Sequence, residues 1–192
     1  MKTKISKSTQ LILCALYIAL NIVLGVTVGA LELPFYGDTI GTMFAGVFFG
    51  PLYGAIVGFL SSFIKSLLFS GMQNLPFALV NVMIGLVMGI VFLKTRFTLI
   101  KAVVVGVVLS FLCALVGTPI GVAVYGGLTG TVSDVVVLFL KQSGASIFAS
   151  SFIAKIGNNF IDKVGSCIIV YGVVKALPAK FKPLCYFAKE DQ

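Results

Sequence analysis

The sequence predicts an all-α, polytopic membrane protein, and three observations predict this fold class. Of its 192 residues, 59% are hydrophobic and only 10% are charged, whereas soluble domains carry about 25% charged residues. The apolar residues come in long runs, and about 20 of them in a helix cross a hydrocarbon core some 30 Å thick. These runs are apolar on every face, whereas the strands of a membrane β-barrel alternate. A soluble enzyme and a disordered chain are both excluded.

We expect a single membrane domain over residues 1–192, with six helices. The first helix follows basic residues, as in a signal peptide, but its apolar run from Leu11 to Val28 is longer than a signal core. We therefore expect a retained helix, although residues 28–30 resemble a weak cleavage site. A short extra helix near 131–140 is too short to span the membrane. The six predicted helices cover about residues 9–28, 35–49, 52–69, 76–93, 99–124 and 146–177.

Gly50 and Pro51 interrupt the apolar stretch that follows the first loop, and such a pair marks a turn or a kink. The stretch is therefore either two helices or one kinked helix. Short loops rich in Lys and Arg stay cytoplasmic, and two helices here would put three basic clusters on one side. The protein is then expected in the plasma membrane, with both termini in the cytoplasm. The net charge of +8 reflects this topology and not nucleic-acid binding. The clusters are Lys2, Lys4 and Lys7; Lys94, Arg96 and Lys101; and Lys175, Lys180, Lys182 and Lys189.

Small residues recur at four-residue spacing, which stacks them on one helix face and lets helix backbones approach closely. Packing within the bundle explains most of them, but the face of Ala15 and Ala19 could instead contact another membrane protein. The spaced residues are Ala15 and Ala19; Gly46, Gly50, Gly54 and Gly58; Gly85 and Gly89; and Gly117 and Gly121.

Polar residues inside the last predicted helix are the main functional signal, because ionisable groups within a membrane usually face a cavity or a partner. Lys155, Asn158, Asn159 and Asp162 follow the spacing i, i+3, i+4, i+7 and so share one stripe. The stripe fits either a site for a small polar ligand or a network whose members satisfy one another. Lys155 and Asn158 favour the ligand site, whereas Asp162 and Lys163 favour the structural network.

Motifs for catalysis and for ATP hydrolysis are missing. The sequence has no His, no phosphate-binding loop and no nucleophile elbow. No pair of its four cysteines has the spacing of metal ligands. We therefore expect no enzymatic activity, no metal and no cofactor, and a transporter of this size would need an outside source of energy.

Three segments carry a resemblance to a known family, and together the similarity covers nearly the whole chain. They are LCALYIAL (13–20), DTIGTMFAGVFFGPLYGAIVG (38–58) and NNFIDKVGS (158–166). They are similar to the first, the second and third, and the last helices of substrate-binding S components of energy-coupling factor (ECF) transporters. Such proteins are six-helix bundles with both ends in the cytoplasm. They capture a vitamin or related micronutrient from outside, and they join a membrane scaffold subunit and two cytoplasmic ATPases.

The resemblance implies that Ala15 and Ala19 contact the scaffold. It implies that ligand contacts come from the first outer loop and the outer parts of helices 3 to 6. The segment from Gly121 to Ala149 is long for this family and either caps the site or packs outside it. The substrate could be pyridoxine, pantothenate, thiamine, riboflavin or a nucleoside-like precursor. The alternative function is that of a stand-alone facilitator or a sensor module. The implied ligand residues are Glu32, Tyr36, Lys65, Asn74, Asn81, Tyr125, Lys155, Asn158 and Asn159.

Overall fold

A computed structural model describes residues 6–33, 35–95 and 97–177. Every regular element in these segments is helical. A π-helical turn (Ser66–Ser70) and a short 3₁₀ helix (Met72–Phe77) join α3 to α4. The α-helices of the described segments are α1 (Lys7–Ala30), α2 (Ile40–Phe49), α3 (Pro51–Lys65), α4 (Ala78–Lys94), α5 (Leu99–Tyr125), α6 (Ser133–Gln142) and α7 (Ile147–Ala176).

Four helical stretches in the described part of the chain are long and apolar enough to cross a membrane. The α2 helix is apolar but only 10 residues long, and the 30-residue α7 carries charged side chains in its interior. The all-helical membrane fold is thus supported, whereas the structure contains seven α-helices and does not confirm a count of six. The four stretches are Lys7–Ala30, Pro51–Ser70, Met72–Leu93 and Leu99–Tyr125.

The chain breaks between α2 and α3 at Gly50, so residues 40–65 are two helices and not one kinked helix. Gly50 has φ of 96°, a left-handed conformation that glycine adopts without steric cost. Pro51 follows at the first position of α3. Proline has no backbone N–H group, but an N–H group at this position would have no acceptor within the helix.

Several helix ends differ from the sequence prediction. The predicted second helix began near residue 35, but α2 begins at Ile40, because backbone N–H groups in the preceding segment bond to a side chain of α7. The prediction put Pro76 at the start of the fourth helix, whereas Pro76 lies inside the 3₁₀ helix and α4 begins at Ala78. Lys2, Lys4, Arg96 and the lysines beyond residue 177 lie outside the described residues, as does the side chain of Lys94.

Glycines allow α2, α3 and α4 to pack backbone against backbone. A methyl group at Gly85 would overlap the backbone of Gly54, and one at Gly89 would overlap that of Pro51. A methyl group at Gly58 would lie 2.5 Å from the Asn81 carbonyl oxygen. The packing interpretation of these glycines is confirmed.

A buried amide attaches α1 to this group of helices. The Asn21 side chain donates to Thr42 Oγ1 at 2.9 Å and to Ser61 Oγ at 3.0 Å. Its Oδ1 accepts the N–H of Gly41 at 2.7 Å. The side chain is fully buried and hydrogen-bonded at both ends, as a polar group in an apolar interior must be.

We predict that Gly85→Ala destabilises the protein and that Gly172→Ala does not. The Gly85 methyl group would force α3 and α4 apart, at a cost of about 1–3 kcal/mol in the free energy of unfolding. No atom lies within 4 Å of the position that a methyl group at Gly172 would take, so the better helix propensity of alanine is expected to raise stability slightly. Thermal unfolding in detergent measures both, and equal midpoints for the two variants would contradict the close packing.

Candidate functional site

A cavity of about 230 Å³ lies between α3, α4, α5 and α7. The segment before α2, the turns that follow α3 and the loop after α5 complete its wall. Most of the lining side chains are polar, although the helices that carry them are largely apolar. The polar lining residues are Tyr36, Asp38, Ser62, Lys65, Ser66, Ser70, Asn74, Asn81, Thr129, Thr131, Lys155, Asn159 and Lys163; the others are Phe77, Val80, Cys113 and Gly117.

The cavity brings together six of the nine residues that the sequence suggested for ligand binding. Glu32 and Asn158 instead line a neighbouring outer groove of about 500 Å³. Tyr125 does not line the cavity, but its ring stacks on Phe77 with 6.5 Å between the ring centroids. The six in the cavity are Tyr36, Lys65, Asn74, Asn81, Lys155 and Asn159.

An ion pair between Lys65 and Asp38 lies where the cavity and the outer groove meet, since both residues line both spaces. Gly25 of α1 leaves room for it, because a methyl group there would lie 2.7 Å from Asp38 Cβ.

A second ion pair, between Asp162 and Lys163 of α7, holds the segment before α2. Asp162 Oδ1 accepts the N–H groups of Tyr36 at 3.2 Å and Gly37 at 2.8 Å, while Oδ2 pairs with Lys163. Lys163 also donates to Thr39 Oγ1 at 3.1 Å. Asp162 thus contacts the segment but does not line the cavity. Lys163 contacts the segment and also lines the cavity.

Tyr36 also lines the cavity, and its phenol hydroxyl can donate a hydrogen bond to a ligand.

The Lys155 side chain is 8% exposed, and its ammonium group has two neighbours. It donates to the Gly117 carbonyl oxygen at 3.1 Å and lies 5.2 Å from the centroid of the Phe77 ring. Within the described residues, no carboxylate lies within ion-pair distance of Lys155. Asn159 donates to the Lys155 carbonyl oxygen at 2.8 Å.

The amides of the cavity each use an N–H group within the protein. Asn81 donates to Ser62 Oγ at 2.7 Å, and Asn74 donates to the Ser70 carbonyl oxygen at 2.5 Å. Neither bond uses the amide oxygen, so both side chains retain an acceptor for a ligand.

The long segment between α5 and α7 contributes to the cavity wall. Thr129 and Thr131 line the cavity, and Asp134 holds their loop by accepting the N–H groups of Thr129 at 3.1 Å and Gly130 at 2.7 Å. The α6 helix that follows packs against α7. The segment therefore both caps the cavity and packs beside it.

Sequence reasoning did not identify Asp38, Thr129, Thr131 or Gly117 as lining residues. The first three lie in non-helical segments, where no periodicity assigns a side chain to a face. Gly117 was interpreted as a packing residue, but a methyl group there would have no neighbour closer than 3.9 Å.

A family model for the substrate-specific component of ECF transporters matches residues 9–174. The chain belongs to this family. It is thus a multi-pass protein of the plasma membrane, a component that takes a small-molecule substrate and works with ECF scaffold and ATPase subunits. No curated protein matches the sequence.

We predict that Asp162→Asn loosens the segment before α2. The change leaves the buried Lys163 ammonium without its counter-ion, and removing one partner of a buried pair costs about 3–5 kcal/mol. Hydrogen exchange at residues 35–39 should become faster and the unfolding temperature should fall. The control is Glu32→Gln, which removes an exposed carboxylate from the loop after α1. It should change neither the exchange rates nor the unfolding temperature. Unchanged exchange in Asp162→Asn would show that the ion pair does not hold the segment.

Proposed function

We propose that this component binds a vitamin or related micronutrient from outside the cell, in the cavity between α3, α4, α5 and α7. It then delivers this ligand together with a membrane scaffold and two cytoplasmic ATPases. The observation that carries the proposal is the cavity, in which polar side chains from α3, α4 and α7 and from three connecting segments converge on one space. Ligand sites are typically such concave spaces with a few converging polar groups.

The size of the cavity favours a small ligand. Sites for drug-sized molecules enclose about 300–1,000 Å³, and this cavity encloses about 230 Å³. Phe77, stacked on Tyr125, supplies an apolar wall suited to a ring or a short chain. The remaining wall offers hydroxyl, amide and ammonium groups.

We propose six crossings, formed by α1, α2, α3 with its π-helical turn, α4, α5 and α7. The 10-residue α2 is about 15 Å long at 1.5 Å per residue, which is half a hydrocarbon core. The non-helical residues 35–39 supply further depth, and backbone of this kind is tolerated within a membrane when it is buried in protein. An even number of crossings leaves both termini on the cytoplasmic side, in agreement with the positive-inside rule.

Entry from outside is proposed to pass through the outer groove beside Glu32 and Asn158. The Lys65–Asp38 pair lines both this groove and the cavity, and the proposed route passes this pair. Residues 31–33 and 35–39 are the proposed lid.

We propose that the scaffold docks on the exposed face of α1. Ala15 and Ala19 are exposed there, beside Ile12, Leu16 and Val23, which are each about 60% exposed. Two small residues one turn apart allow a partner helix to approach closely.

Filling the cavity tests the binding proposal. We predict that Gly117→Leu abolishes ligand binding, because its side chain would extend into the cavity. Gly157→Leu is the control, since Gly157 is an exposed glycine within α7 that has no atom within 4 Å of an added methyl group. The readout is the concentration-dependent rise in unfolding temperature with a panel of vitamins and nucleosides. Equal ligand-induced rises in the two variants would place the ligand elsewhere.

Scaffold docking is tested separately. We predict that Ala15→Trp and Ala19→Trp each prevent co-purification with the scaffold and ATPases while ligand binding by the isolated subunit is unchanged. Ala123→Trp, an exposed alanine of α5, should still assemble. Normal assembly of both α1 variants, or solute transport into liposomes by the isolated chain, would contradict this part of the proposal.

A further inference from the structure

Among the described residues, the lysines of the cavity outnumber the carboxylates that form ion pairs with them. Lys65 and Lys163 each pair with a carboxylate, whereas Lys155 has no carboxylate within ion-pair distance among the described residues. With every cavity lysine and the two paired carboxylates counted, one positive charge is left without an ion-pair partner. The groups counted are Lys65, Lys155 and Lys163 against Asp38 and Asp162.

An ammonium group with this little compensation is costly inside a membrane. A charged side chain at membrane depth is usually paired or faces a polar cavity. The ammonium group has three donors and uses one of them, on the Gly117 carbonyl oxygen. Asp134, which acts on Lys155 from longer range, already accepts two backbone N–H groups.

The packing around Lys155 leaves room for the ammonium group at the cavity wall. Gly121 lies against it, and a methyl group at that position would overlap Lys155 Nζ. Thr129, whose methyl group lies close to the same position, also lines the cavity. A ligand group at Lys155 would therefore lie beside Thr129.

We propose that the ligand carries a carboxylate and that this carboxylate binds the Lys155 ammonium group. The inference rests on the proposed function, which makes the cavity the ligand site. A carboxylate supplies one negative charge, which matches the single unbalanced positive charge; a phosphate monoester would bring close to two. The Phe77 ring, in contact with the same ammonium group, packs against the apolar part of the ligand.

The test compares acids with neutral counterparts of nearly the same shape, using the full chain in lipid nanodiscs. The probes are nicotinate against nicotinamide, pantothenate against panthenol, and biotin against biotin amide, with pyridoxine, riboflavin and thiamine as ligands that carry no carboxylate. One acid should bind at least tenfold more tightly than its neutral counterpart. Lys155→Met should remove this preference, and Lys141→Met, at an exposed lysine of α6, should keep it.

Gly121→Ala gives a second variant that keeps the lysine. It displaces the ammonium group, so affinity for the acid should fall while affinity for the neutral counterpart stays the same. Tightest binding of a ligand without a carboxylate, unaffected by Lys155→Met, would overturn the carboxylate inference and leave the proposed function intact. Binding of no probe by folded wild-type protein would contradict the proposed function itself, and the carboxylate site with it.

Discussion

The buried ion pair between Asp162 and Lys163 is the interaction on which the arrangement of the site depends. Asp162 accepts the N–H groups of Tyr36 and Gly37, and Lys163 donates to Thr39. Backbone that is not helical can lie within a bilayer only where protein groups satisfy it. The pair supplies those groups, and the segment that it holds contributes Tyr36 and Asp38 to the cavity wall.

Glycine has two opposite functions in this bundle. In α2, α3 and α4, glycines bring backbones together, so that a single added methyl group would collide with a neighbouring helix. In α5, Gly117 and Gly121 instead keep space open, one for the cavity and the other for the Lys155 ammonium group. The same four-residue spacing therefore brings the backbones of α2, α3 and α4 into contact, and in α5 it leaves space for the cavity and for Lys155.

The sequence predicted the helical membrane fold and the family because composition and long apolar runs are local properties. The four-residue and three-residue spacing also placed Lys155, Asn159 and Asp162 on one buried stripe of α7. It could not place residues 35–39, which directly precede an apolar helix, because their conformation depends on Asp162, more than 120 positions away. Thr129 and Thr131 were missed for the same reason, as tertiary contacts and not periodicity bring their loop to the cavity.

The most direct test of the account is an experimental structure of the wild-type chain with the tightest ligand found in the screen. The account predicts ligand density enclosed in the cavity, in contact with Lys155 and Phe77 and sealed from the outer groove by the Lys65–Asp38 pair. Density confined to the groove beside Glu32, with the cavity unoccupied, would contradict it.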